Sequence, residues 1–165
     1  MSPRRATEVL IVLTILVISM GGMIRIYDAG ESCPDWPTCF GTWGFDISEE
    51  EQGEWWEENP DEADSRGSGH RYSSFQIFTE WFHRLLAGAF VGPLVVLNWL
   101  LVRKETWTSP RVKGVSSLAL GLILWQGAIG WLTVKMDNEN WSVAIHLGSA
   151  MAFLISLIWL WMEIR

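Results

Sequence analysis

The chain has 165 residues, 49% of them hydrophobic, yet its formal net charge is −7. Thirteen of its 19 acids fall between Asp28 and Asp64, and outside that stretch and its flank to Gln76 the sequence is close to hydrocarbon in character. A single soluble core is excluded, because its acids would be spread over every surface-facing segment; so is a nucleic-acid binder, since 12 bases against 19 acids offer no patch to neutralise phosphates.

Crossing about 30 Å of hydrocarbon takes about 20 helical residues, and four apolar runs meet that length, over about 8–27, 77–102, 113–134 and 141–163. Arg4 and Arg5 precede the first run as they would in a secretory leader, but no A-x-A site follows and Arg25 sits where cleavage would fall, so the run is read as a span. Basic residues in short segments set the orientation. Arg4, Arg5, Arg103, Lys104, Arg111 and Lys113 place both termini and the link between the second and third spans on the cytoplasmic side. The loop 28–76 is then extracellular, and Trp36, Trp43, Trp81 and Trp141 lie near the outer ends of the spans, as an aromatic belt would. The expected fold class is an all-α membrane protein: a four-helix transmembrane bundle, one domain over 1–165, with a long acidic extracellular loop, multi-pass in the cell membrane.

The middle of that loop, 48–64, is too charged to bury and is followed by Gly67, Ser68 and Gly69, so a solvated, mobile segment adapted to a salty exterior is expected, with cation binding or partner docking as the alternative. The two cysteines stand in Cys33-Pro-Asp-Trp-Pro-Thr-Cys39, directly after the first span. A metal site needs further ligands, and His70 lies far along the acidic loop, where it reads as a solvated residue. An oxidising exterior favours a disulfide closing a small Pro-rich ring, and a strained, redox-active bridge is the alternative.

Ionisable side chains inside a span cost about 2.5–3.5 kcal/mol on insertion scales and mark sites. His83 and His146 enter the second and fourth spans, which run in the same direction, at a matched depth of about 8–9 Å below the outer surface, taking 1.5 Å per residue. Two histidines so placed can face each other across a bundle and ligate the iron of a planar macrocycle from both sides. Glu80 lies at i−3 from His83 and shares its face, and Arg84 at i+4 from Glu80 can pair with it. Gly21-Gly22 in the first span, and Gln126-Gly127-Ala-Ile-Gly130 in the third, let helices approach closely or leave room for a flat ligand. Arg25, Arg84 and Gln126 are candidate partners of the site, the two arginines for haem propionates. These residues predict a membrane b-type cytochrome with a carboxylate beside the haem edge.

The strings Gly21-Gly-Met-Ile-Arg25, Gly30-Glu-Ser-Cys33-Pro-Asp-Trp-Pro-Thr-Cys39-Phe-Gly41, Glu80-Trp-Phe-His83-Arg84, Gln126-Gly-Ala-Ile-Gly130-Trp-Leu-Thr133-Val134 and His146-Leu-Gly-Ser-Ala150 resemble, in order, those of the haem A synthase family. The resemblance implies an oxidoreductase that converts the C8 methyl of haem O, through an alcohol, to the formyl group of haem A for terminal oxidases. It implies Glu80 as the essential carboxylate, His83 and His146 as paired haem iron ligands, and Cys33 with Cys39 as the family's outer cysteine pair. Family members have eight membrane helices in two similar halves, the second carrying a permanent haem b. This sequence matches the first half, so a homo-oligomer is expected, a dimer before higher forms, with a separate chain supplying the second half, or a different job for the single unit, as the alternatives. Further expected partners are haem O, the lipid bilayer, and a haem O synthase or terminal oxidase. The competing reading is a non-catalytic b-type cytochrome carrying electrons or haem through the same histidines, and a third is an assembly subunit that binds haem weakly.

Overall fold

A computed structural model describes residues 1–62 and 64–164. Four helical stretches are long and apolar enough to cross a membrane, Pro3–Ile26, Ser74–Lys104, Pro110–Lys135 and Asn140–Glu163, which makes this a multi-pass membrane protein. Three of them start three or more residues before their apolar runs do, because capping residues rather than hydropathy set where a helix begins. Ser2 accepts from the Arg5 N–H and Pro3 opens helix α1 (Pro3–Ile26). Ser73 and Gln76 form a reciprocal capping box on α3 (Ser74–Leu85), while Ser109 caps α5 (Pro110–Lys135), again with a proline in the first turn. The fourth stretch is α6 (Asn140–Glu163).

The second stretch is not one regular helix. After α3 it passes through a π-helical turn, Leu86–Val91, into α4 (Gly92–Lys104), and the Gly92 N–H reaches back five residues to the Ala87 carbonyl. Pro93 supplies the reason: it has no N–H, and its ring would press on the carbonyl four residues before it, so the preceding turn widens. The turn changes which neighbours the helix meets. α4 packs on α1 and α5, whereas α3 packs on α1, and α6 closes the ring against α1 and α5.

Away from the loop, the interior is conventional. Leu10, Val91, Val95, Ala119, Phe153 and Leu157 form one buried cluster, and Val102, Val112, Val115, Leu160 and Ile164 form a second nearer the chain termini. Polar groups there are mostly turned back onto their own helices, as Thr7 Oγ1 on the Pro3 carbonyl, Thr14 Oγ1 on Leu10 and Ser156 Oγ on Phe153.

The acids in the middle of the loop, from Glu49 to Glu62, are exposed, as expected of a solvated segment, but the segment is folded rather than irregular. Within it lies a helix, α2 (Glu49–Glu58), started by a capping box between Ser48 and Glu51 and favoured by three glutamates in its first turn, at the positive end of the helix dipole. Its acids face out, while Gln52 and Trp56, one turn apart, are buried. Trp56 joins Cys33, Cys39, Phe40, Ile47, Tyr72 and Ile77 in a small core over the loop end of the bundle. Gln52 clamps residue 72 through both backbone groups, donating to the Tyr72 carbonyl at 3.0 Å and accepting from its N–H at 2.8 Å. Arg66, paired with Glu31 and Asp28, and Lys135, paired with Glu62 at 2.6 Å, strap the loop to the helix ends beneath it. Burial and the hydrogen bond to Asp64 push the Tyr72 hydroxyl far above its ordinary pKa.

Candidate functional site

The site lies in the loop-end half of the bundle. His83 lies on α3 and His146 on α6. Each ring is seated against a glycine of the adjacent helix. A Cβ at Gly21 of α1 would stand 3.4 Å from His83 Cε1, and one at Gly130 of α5 would stand 3.0 Å from His146 Cε1. Only glycine lets the rings approach those helices so closely. His83 Nδ1 is buried and has no hydrogen-bond partner among the described residues, a costly condition for a polar atom. His146 is held instead: Gln126 Nε2 lies 3.2 Å from its Nδ1 and donates to its carbonyl at 3.0 Å, while Gln126 Oε1 accepts from Ser149 Oγ at 2.5 Å.

Among the described residues no group of three or more His, Cys, Asp or Glu side chains is arranged around a bare metal ion. A pair of histidines on two helices that both pack against α1, one with an unpartnered nitrogen, instead suits an iron that brings its other ligands in a macrocycle. The residues present therefore fit haem.

Glu80 and Arg84, one turn apart on α3, are joined by an ion pair of 2.6 Å between Arg84 Nη2 and Glu80 Oε1. Glu80 is 4% exposed, and its second oxygen accepts from Ser32 Oγ at 3.0 Å and from the Cys33 N–H at 2.9 Å. Arg84 is equally occupied: Nη2 donates to the Cys33 carbonyl at 2.7 Å, and Nη1 to the carbonyls of Asp35 at 2.5 Å and Thr38 at 3.1 Å. Cys33 and Cys39 are bonded to each other, so those three carbonyls belong to the ring that the disulfide closes. Arg25 stands apart at the exposed rim, where its Nη2 donates to Asn140 Oδ1 at 2.6 Å and ties the end of α1 to the start of α6.

Sequence reasoning singled out Glu80, His83, Arg84, Gln126, His146 and the cysteines, and it missed Ser32 and Ser149. Ser32 carried no signal of its own, since only the fold brings it to Glu80, 48 residues away. Ser149 was legible in principle, because it stands at i+3 from His146 on the same helical face.

A family model described as COX15-CtaA, cytochrome oxidase assembly protein, matches residues 4–165. The chain belongs to this family. Curated relatives in it include a heme A synthase of Shewanella oneidensis, 32% identical over 158 residues, covering 96% of this chain and 44% of that protein. A heme A synthase of Novosphingobium aromaticivorans is 28% identical, over 89% of this chain and 45% of its own length. A heme A synthase-mitochondrial ferredoxin fusion protein of Schizosaccharomyces pombe is 29% identical over 89% of this chain and 26% of its own. The chain thus spans about half the length of the curated bacterial relatives it matches. No solved structure matches it.

Proposed function

We propose that this COX15-CtaA protein is a haem A synthase, an oxidoreductase that oxidises the C8 methyl of haem O to the formyl group of haem A. The observation that carries the proposal is the pair of intramembrane histidines, His83 seated against Gly21 of α1 and His146 against Gly130 of α5. The heme A synthases among its relatives supply the reaction.

In this reading His83 and His146 would hold the iron of haem O, which would supply the redox chemistry. Gln126, itself held by Ser149, fixes the His146 ring in its seat. Glu80 sits about 4.5 Å along the axis from His83 toward the loop end. Its carboxylate accepts a proton released as the methyl is oxidised, or balances positive charge beside the haem edge. The capped loop over the site excludes water from that edge. Arg25, at the rim beside Asn140, is the group best placed for a propionate.

The protein is placed in the cell membrane, with the Arg4–Arg5 end and the Arg103–Lys113 link cytoplasmic and the disulfide loop extracellular, following the distribution of basic residues. We assign the working form to a homo-oligomer, a dimer first, since two-fold assemblies of identical chains are the commonest kind. A lipid-nanodisc particle containing two chains is the expected result. Haem O synthase and a terminal oxidase are the expected neighbours in haem supply and use.

One feature favours a second reading. Both Glu80 oxygens are taken by the loop and Arg84, as in a structural fastener, and a non-catalytic b-type cytochrome holding haem b would need no more. Glu80→Gln separates the two. For the enzyme, the variant keeps its low-spin haem spectrum and loses conversion of haem O by about a hundredfold or more, within the range for a general acid-base group; conversion at the normal rate rejects the catalytic role.

A further inference from the structure

Arg84 lies next to a proposed iron ligand, and a cation there invites assignment to a haem propionate. Its surroundings point elsewhere. The side chain is 13% exposed, and its two terminal nitrogens are each already shared between two acceptors: the Cys33 carbonyl and Glu80 Oε1 on one, the Asp35 and Thr38 carbonyls on the other. The three carbonyls converge on a single guanidinium because the chain between Cys33 and Cys39 curls back on itself, and the bond between those residues holds the curl closed. The same segment donates to the other side of Glu80, through the Cys33 N–H and Ser32 Oγ. Ser32 is itself anchored, donating to the Ala29 carbonyl at 2.8 Å and lying 3.0 Å from the Gln76 carbonyl. The carboxylate is thus gripped from both sides by one disulfide-closed element.

We propose that Arg84 and Ser32 are positioning residues, which together with the closed Cys33–Cys39 ring fix the orientation of the Glu80 carboxylate and do not themselves contact the haem. This rests on the haem A synthase reading for its kinetic consequence, though not for its geometry. A guanidinium is required because its planar fork spreads donors in fixed directions, whereas a lysine ammonium is a point donor that cannot reach three loop carbonyls and a carboxylate together. The sulfurs serve as a clasp: Cys33 is 0% and Cys39 1% exposed, beneath Phe40 and Trp56, with no path for a thiol to attack them in this arrangement.

The test uses the full chain in lipid nanodiscs, as wild type and as Arg84→Lys, Ser32→Ala and the double variant Cys33→Ala/Cys39→Ala. Two quantities are read: the steady-state constants with haem O, and the Glu80 carboxylate stretch by isotope-edited infrared spectroscopy. Arg84→Lys is expected to keep the low-spin haem spectrum and to hold KM within about twofold, while kcat falls about tenfold or more, the rate equivalent of a lost charge-assisted hydrogen bond. Ser32→Ala, which deletes one hydroxyl, gives a smaller fall of the same kind, and both shift the carboxylate band. A raised KM with unchanged kcat in Arg84→Lys would identify a haem contact and overturn the proposal. An unmoved carboxylate band in both Arg84→Lys and Ser32→Ala overturns it even if wild type converts no haem O, an outcome that by itself defeats only the enzymatic reading. If the cysteine variant does not fold, the two single variants still decide.

Discussion

The two halves of the bundle are built for opposite purposes. Toward the chain termini, branched aliphatic side chains and Phe153 fill the space between α1, α4, α5 and α6, and most hydroxyls bond back to their own helices. Toward the disulfide loop, the second membrane stretch changes direction of packing at its π-turn, glycines replace side chains where imidazoles sit, and a histidine nitrogen is left unpartnered. The same hydrophobic composition thus gives a packed end that holds the helices together and an end held in readiness by charge pairs and a covalent clasp. A site for a large flat ligand is cheaper to keep open when only half of the scaffold is asked to do it.

The contrast can be broken most sharply at the histidines. Replacing either His83 or His146 by alanine should abolish low-spin haem absorbance, while the haem-free protein unfolds as wild type does; retention of the low-spin spectrum in both variants would remove the ligand assignment. The reverse experiment belongs to the packed end. Leu157 is fully buried, and Leu157→Ala should cost about 2–5 kcal/mol in reversible unfolding, yet leave the haem spectrum unchanged; a shifted spectrum would mean that the halves are not independent. The glycine seats give the smallest and most graded effect. Gly130→Ala, whose Cβ would stand 3.0 Å from His146, should weaken haem binding about tenfold, near the cost of a modest overpacking, and Gly21→Ala, at 3.4 Å from His83, should do less. Equal effects, or the opposite order, would contradict the seating geometry.

How much of this was legible in the sequence differed in the same two ways. The four spans followed from apolar length alone, and His83 and His146 followed from depth, because an ionisable group within hydrocarbon is conspicuous. The π-turn did not follow. Hydropathy is uniform from Leu85 to Leu97, and only Gly88, Gly92 and Pro93 hint at an irregular helix. Helix α2 was hidden by its charge, although Ser48 and Glu51 spell a capping box and Gln52 and Trp56 a buried stripe; charge density decided the sequence reading, whereas one stripe of two residues decided the fold. The proximity of Glu80 to Arg84 was set by helical spacing and was read correctly. The grip of the loop on both depends on residues 46 to 51 positions away, and no local pattern encodes such contacts.

The central claim is that His83 and His146 hold a haem that the protein converts. Its most direct test is analysis of the haems extracted from the purified wild-type chain after aerobic incubation with haem O and a reductant. The account predicts haem A, with its formyl group, accumulating at the expense of haem O. Unchanged haem O, or haem b as the sole pigment, would contradict it.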